Sequence, residues 1–109
     1  MPDSACTVRI VLTTASSAEE AQRIARTLVE ERLAACTTIL PAALSIYRWH
    51  GEIESAHESL ILIKTSNERL AALEERLHAL HSYDVPEFLV LNVDFGSQTY
   101  LAWLQASLQ

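Results

Sequence analysis

Two long strand-like stretches that flank one tight turn constrain the fold more than any other feature of the chain. Residues 36–50 and the stretch from Ile53 onward have strand character, and His50-Gly51-Glu52 between them is a turn signal. The pattern predicts a long hairpin that carries Tyr47 and Trp49 on one face. Pro41 lies inside the first stretch, so that strand must bend, bulge or lie at a sheet edge there.

The rest of the chain predicts two further strands and three helices. The helices are indicated by apolar residues at spacings of three and four behind a capping residue, and the strands by short apolar runs. In chain order these elements are a strand at 8–12, a helix from the capping box Ser17–Glu20 to near Ala35, a helix from Ser66-Asn67 to about His81-Ser82, a strand at 88–93 and a C-terminal helix after Gly96-Ser97. The run 60–63 is predicted to be buried on both faces.

The resulting order, βαββαβ with a terminal helix, predicts an α+β, ferredoxin-like fold. The chain of 109 residues has room for one domain, with residues 1–6 as a flexible tail. Right-handed crossovers would place both long helices on one face of the sheet, so the other face must be covered in some other way. That bare face and the long aromatic-bearing hairpin predict oligomerisation, and the alternative is that the terminal helix alone covers the face.

Charge and apolar patterning exclude several classes of protein. The net charge is −6 and the basic residues are scattered, which argues against nucleic-acid binding. No apolar run approaches the length that spans a bilayer, and the N-terminus lacks the regions of a signal peptide. Two cysteines, Cys6 in the tail and Cys36 packed in the core, fit free thiols in a cytoplasmic protein.

No complete catalytic motif is present, so the chain is not expected to be an enzyme. The stretch 81–87 places an aromatic ring, a histidine and two carboxylates beside a strand, which is typical of a binding loop, although a loop can be polar only because it is wet. His78 and His81 are three apart on one helix turn and could chelate a metal, although a solvent-facing polar edge explains His78 equally well. Lys64, the only lysine, is either a snorkelling surface residue or an anion contact at a cleft.

Five blocks of the sequence together resemble the CutA family, the divalent-cation tolerance proteins. Their order and spacing match the family over about residues 10–108. The blocks are Glu31-Arg32-Leu33-Ala34-Ala35-Cys36, Ser45-Ile46-Tyr47-Arg48-Trp49-His50-Gly51-Glu52-Ile53, Ile63-Lys64-Thr65, His81-Ser82-Tyr83-Asp84-Val85-Pro86-Glu87 and Tyr100-Leu101-Ala102-Trp103-Leu104.

The resemblance implies a homotrimer in which hairpin strands pair between subunits, and a cytoplasmic protein linked to tolerance of copper and other divalent ions. The trimer is similar to that of PII signalling proteins, which implies small-ligand sensing in clefts between subunits. Some family members carry a cysteine proposed as a metal ligand where this chain has Thr13, and a second histidine where it has Leu80. Threonine cannot replace a soft thiolate ligand.

These expectations give a definite set of candidate residues. His81 and Glu87 are the predicted metal ligands, and Trp49, Lys64, Tyr83 and Asp84 are predicted to line a ligand cleft. No cofactor is obligatory, and weak binding of Cu(II) or another divalent cation is expected from imidazole and carboxylate ligands. The expected partners are other copies of the chain and a small molecule, without nucleic acid or membrane. The rival functions are an enzyme with an acid–base site between subunits and a hub that recruits another protein.

Overall fold

Four strands and three α-helices follow one another in the predicted order. The computed structural model describes residues 6–109, and the predicted tail up to residue 5 lies outside that range. The elements are β1 (Val8–Ala15), α1 (Ala18–Glu30), β2 (Cys36–Trp49), β3 (Glu52–Ser66), a 3-10 turn (Asn67–Arg69), α2 (Leu70–Leu80), β4 (Leu89–Asn92) and α3 (Gln98–Ser107).

The strands form one sheet in the order β2-β3-β1-β4, and all neighbouring strands are antiparallel. Strand β3 is inserted between β1 and β2, the two strands that α1 connects. This split βαβ arrangement confirms the predicted ferredoxin-like fold. It also leaves β2 and β4 as the two edge strands of the sheet.

One face of the sheet is covered by α1 and α2. Side chains of β1 and β3 that point to this face pack against the apolar stripes of the two helices, and each fully buried leucine or isoleucine contributes about 1.5–3 kcal/mol. The residues at the centre of this core are Val11, Ile24, Leu28, Ile61, Ile63, Leu73 and Leu77, all without solvent exposure.

Helix α3 packs at one end of the sheet and covers only that end of the opposite face, on which Leu89 and Leu91 of β4 stay exposed. Its Leu104 and Leu108 are buried against Val8 and Ala35. Cys6 packs against the same cluster, so the chain joins the core at Cys6, within the stretch predicted as a tail. This placement contradicts the alternative in which the terminal helix alone covers the bare face.

The face opposite α1 and α2, which we call the open face, is apolar and only partly covered. On β3, Leu60 and Leu62 are half-buried, whereas Ile61 and Ile63, which alternate with them, are fully buried. The prediction that this run is buried on both faces was therefore wrong for the protomer. The open face consists of Ile10 and Leu12 on β1, Cys36 and Thr38 on β2, Leu60, Leu62 and Lys64 on β3, and Leu89 and Leu91 on β4.

The long hairpin is confirmed, and a bulge at its middle explains Pro41. Pro41 and Ala42 together stand opposite Ser59, and Ala42 has a φ of 60°, so β2 bends where the prediction required it. Beyond the bulge, residues 43–58 form a projecting hairpin arm, and the protomer measures 50 × 27 × 22 Å. At the arm's tip His50 and Gly51 both have positive φ, 50° and 82°, as a two-residue primed turn requires.

The helix ends differ from the sequence pattern in two places. Helix α1 ends at Glu30, before the predicted end near Ala35, because Arg32 adopts the left-handed conformation with a φ of 61°. The Arg32 and Leu33 amides donate to the carbonyls of Val29 and Leu28, which closes the last turn as a Schellman motif. At the start of α2, Ser66 makes no side-chain capping hydrogen bond, and a 3-10 turn intervenes.

Replacing Arg32 by glycine is expected to stabilise the protein. Left-handed backbone costs a residue with a Cβ atom roughly 1–2 kcal/mol, and glycine avoids that cost. We expect Arg32→Gly to raise the free energy of unfolding by about 1 kcal/mol in urea titrations. Arg26→Gly, within the same helix, is the matched control and should lower it by a similar amount. A loss of stability in Arg32→Gly would show that the arginine side chain matters more than the backbone conformation.

Candidate functional site

A buried polar network joins the N-terminus of α1 to the loop that follows α2. Ser17 caps the helix, since its Oγ accepts from the Glu20 amide at 3.1 Å, as the capping box predicts. The Glu20 carboxylate is buried and accepts three hydrogen bonds. One oxygen accepts from the Ser16 amide and hydroxyl at 3.1 and 2.8 Å, and the other accepts from the Ser82 amide at 2.8 Å. Glu20, three residues after the cap, therefore ties the start of α1 to the loop 81–87.

Hydrogen bonding outweighs burial at Glu20. Burial alone would raise the pKa of this carboxyl, but hydrogen bonds from Ser82 and Ser16 favour the ionised form and lower the pKa to about 2. Arg23 lies 3.8 Å from the same carboxylate on the next helix turn, and its own side chain is largely exposed. Glu20 is therefore ionised at neutral pH, and the hydrogen bonds from Ser16 and Ser82 stabilise its charge.

The His81 imidazole is fully buried, and both of its nitrogens have partners. Its Nδ1 accepts a hydrogen bond from the Tyr83 amide at 3.1 Å. This contact assigns the ring proton to Nε2, which lies 2.6 Å from the Thr14 carbonyl oxygen and donates to it. A metal that binds His81 would have to displace one of these two partners. The contacts therefore weigh against metal binding by His81, which remains a prediction.

Tyr83 connects the same loop to the base of the hairpin arm. Its hydroxyl donates to a Glu58 carboxylate oxygen at 2.7 Å, and its ring packs on the His81 imidazole with centroids 4.6 Å apart. Burial and the Glu58 carboxylate raise the pKa of Tyr83, so the phenol stays protonated at neutral pH. Its single hydroxyl hydrogen is committed to Glu58, and the phenol is not poised to act as a base.

The predicted site residues fall in three separate places within one protomer. Asp84 and Glu87 are exposed in the loop that contains His81 and Tyr83. Trp49 is 55% exposed at the tip of the hairpin arm, opposite Glu52. Lys64 lies on the open face, opposite Ile10 and Cys36. A single cleft lined by Trp49, Lys64 and Tyr83 is therefore not formed inside a protomer, and would need a second subunit.

The residues that were expected to hold a metal do not form a ready cluster. Within residues 6–109, no three His, Cys, Asp or Glu side chains lie together in a way that could hold a metal ion. Thr13 is fully buried on the helix-covered face, and its hydroxyl has no hydrogen-bond partner. Cys36 is half-buried on the open face, not in the core, and its Sγ lies 3.7 Å from the Tyr100 hydroxyl.

A groove of about 300 Å³ lies beside the buried network, between the start of α1 and the bulge of β2. The sequence indicated neither this groove nor Glu58, because the bulge brings them together and no local pattern encodes that contact. The groove is lined by Ser16, Ser17, Ala18, Pro41, Ala42, His57, Glu58 and Ser59.

None of the helices in the described part of the chain is both long enough and apolar enough to span a membrane. The fold and the buried network together define a ferredoxin-like α+β protein with an extended hairpin arm and a C-terminal helix. The profile of one family, described as CutA1 divalent ion tolerance protein, matches residues 9–107. The chain belongs to this family, which confirms the resemblance of the five sequence blocks.

Relatives and solved structures agree with that assignment. The Divalent-cation tolerance protein CutA of Thermus thermophilus is 49% identical over 96 residues, which covers 88% of this chain and 93% of that protein. The protein of the same description from Pectobacterium atrosepticum is 46% identical over 104 residues, covering 95% and 94%. The structure of CutA from Synechococcus elongatus superposes with a TM-score of 0.93 at 41% identity, covering 98% of this chain and 95% of that chain.

Proposed function

We propose that this protein is a non-enzymatic homotrimer in the cytoplasm that supports divalent-cation tolerance by binding an ion or a small ligand between its subunits. The observation that carries the proposal is the exposed apolar surface of the hairpin arm. Five large apolar side chains there are between 41% and 68% exposed: Leu44, Ile46, Tyr47, Trp49 and Ile53.

An arm of this kind is not stable on its own. A two-stranded hairpin without a covering layer is marginally stable in water, and an exposed apolar patch of this size marks an interaction surface. The open face and the free edges of β2 and β4 offer further surface for the same purpose. Other copies of the chain are the proposed partners, and assembly would place the arm of one subunit against the sheet of the next.

The proposed ligand cleft combines residues that the protomer holds apart. Asp84 and Glu87 are exposed beside Tyr83, whose protonated hydroxyl lies at the base of the arm. A neighbouring subunit would supply Trp49 or Lys64 to complete the cleft. His81 and Tyr83 are the side chains best placed for acid–base catalysis, but neither is available for it. Both His81 nitrogens are hydrogen-bonded and the pKa of Tyr83 is raised, which supports a non-enzymatic function. PII-like signalling would be one use of such a cleft.

Metal binding tests the tolerance role directly. We expect Cu(II) to bind more strongly than Mg(II), as the usual affinity order requires, and its binding to weaken on acidification because protons compete with the metal for the ligands. Glu87→Gln removes an exposed carboxylate without touching the buried network and should weaken Cu(II) binding by on the order of tenfold. Titration calorimetry with both ions measures the affinities.

Asp94→Asn is the matched control, because Asp94 is an exposed acid outside the loop and its loss should leave Cu(II) affinity unchanged. His81→Ala is expected to abolish Cu(II) binding only if the wild-type imidazole gives up its hydrogen bonds to Thr14 and Tyr83 in order to bind the ion. If the wild-type protein binds neither ion, tolerance does not operate through direct binding at this loop.

A further inference from the structure

The open face carries one cation near the end that is bordered by α3. Lys64 is the only lysine of the chain and is half-buried on β3. Its cross-strand neighbours are Ile10 on β1 and Cys36 on β2, and Leu62 lies two residues earlier on the same face. The charged side chain of Lys64 therefore lies on a face that is otherwise mainly apolar.

The ammonium group has a neutral partner and no anionic one. Lys64 Nζ donates to the Thr38 Oγ1 at 2.7 Å. Across residues 6–109, no carboxylate forms an ion pair with it, whereas Arg76 holds Glu31 through two contacts of 2.9 Å. An ammonium has three donors, so two remain available, and the hydroxyl hydrogen of Thr38 is also free because its oxygen accepts from lysine.

One further hydroxyl borders this position. The Tyr100 hydroxyl reaches from α3 to within 3.7 Å of the Cys36 Sγ, beside the strand pair that holds Lys64. The ammonium and the Thr38 hydroxyl therefore form a pair of donors with no carboxylate in ion-pair contact among residues 6–109, and Tyr100 borders them through Cys36. Such a pair suits an oxyanion, which accepts several hydrogen bonds and neutralises the ammonium.

We propose that Lys64 and Thr38 bind an oxyanion when a second copy of the chain covers the open face. The inference rests on the proposed assembly, because covering the face removes water from an ammonium that has no counter-charge, and an unpaired buried charge is strongly unfavourable. The oxyanion has the chemistry of a carboxylate or phosphate group. It is supplied by a neighbouring arm or by a small molecule.

The arm offers a carboxylate source on the matching face. Glu52 and Glu54 are exposed on β3 opposite Trp49 and Tyr47, and alternation along β3 places them on the same side of the strand as Lys64. Within one protomer they lie at the far end of a 50 Å molecule from the lysine. Only another subunit's arm could bring them to it.

The test compares the wild type with Lys64→Met, which keeps the side-chain length without the charge, and Lys64→Arg, which restores the charge. Arg26→Met, which removes an exposed cation from α1, is the matched control. Sedimentation velocity gives the assembly state of each variant. Melting temperature is measured in inorganic phosphate and in chloride at equal ionic strength, and phosphate affinity is measured by calorimetry.

Phosphate stabilises folded proteins in general, so a free oxyanion predicts that it raises the melting temperature of the wild type and of Arg26→Met by more than that of Lys64→Met. Phosphate affinity should then fall by on the order of tenfold or more in Lys64→Met and recover in Lys64→Arg. A carboxylate from the arm predicts that phosphate shifts the melting temperature of all these proteins equally. Instead, the effects of Lys64→Met and of Glu52→Gln or Glu54→Gln on the melting temperature would be non-additive in double mutants.

Either result supports the oxyanion site. The oxyanion site is overturned if the wild type and Lys64→Met form equally stable trimers, with the same response to phosphate and no coupling to either glutamate. That outcome would leave the proposed assembly intact. A wild type that stays monomeric would overturn both, since the ammonium would then remain hydrated.

Discussion

Trp49→Asp is expected to dissociate the assembly or to leave the chain insoluble. Trp49 is 55% exposed at the tip of the arm, and an interface that covers it would have to bury the new carboxylate without a partner. The proposed assembly couples folding of the arm to association, so it predicts that the wild type melts at a higher temperature as protein concentration rises. Sedimentation velocity at micromolar concentration and melting curves over a hundredfold range of concentration measure both effects.

The control must add the same charge away from the proposed interface. Ala72→Asp places a carboxylate on an exposed position of α2, the helix that covers the opposite face of the sheet. It should leave assembly and its concentration dependence unchanged. If Trp49→Asp remains a trimer with the stability of Ala72→Asp, Trp49 lies outside the interface and the arm is covered in another way.

The parts of the fold that the sequence predicted correctly are those that local patterns encode. The His50-Gly51 turn, the break at Pro41 and the Ser17 cap each depend on conformational preferences of a few adjacent residues. The order of strands and helices then limits the topology to very few arrangements, since crossovers are right-handed and short. The ferredoxin-like sheet followed from those two constraints.

The end of α1 was missed because the apolar periodicity continues past the helix. Leu33 and Ala34 still pack on the core, but they do so from a non-helical backbone after Arg32. No glycine marks the left-handed position, so the usual stop signal is absent. The apolar run 60–63 was similarly ambiguous, because apolar residues on both faces indicate burial without showing whether the covering layer belongs to the same chain.

The candidate site was only partly predictable for a different reason. The loop 81–87 stood out by its composition, but the function of its side chains depends on residues far away in the sequence. Glu20 is 62 positions from Ser82, and Thr14 is 67 positions from His81. Because of these contacts His81, the metal ligand that the sequence favoured, is a buried and hydrogen-bonded histidine. Glu20, predicted only as part of a capping box, also binds the loop after α2.

Glu20 is expected to make the protein sensitive to acid. Its pKa is lowered from an ordinary 4.5 to about 2 in the folded protein, so the ionised form is favoured by folding. The resulting stabilisation is fully present above pH 4.5 and is lost as the pH falls through that value toward 2. A shift of this size corresponds to about 3 kcal/mol of stability at neutral pH. Urea unfolding between pH 7 and pH 2, at constant protein concentration, measures it.

Glu20→Gln isolates this contribution, because the amide has the same shape and does not titrate. Its NH₂ group would face the Ser82 amide, so two donors would oppose each other where a carboxylate oxygen now accepts at 2.8 Å. We expect the variant to be about 3 kcal/mol less stable than the wild type at pH 7 and nearly equal to it at pH 2. Glu19→Gln, the exposed neighbour on the same helix turn, should follow the wild type throughout. A difference between wild type and Glu20→Gln that does not change with pH would show that the carboxylate's charge contributes nothing, and that the network holds the loop through shape alone.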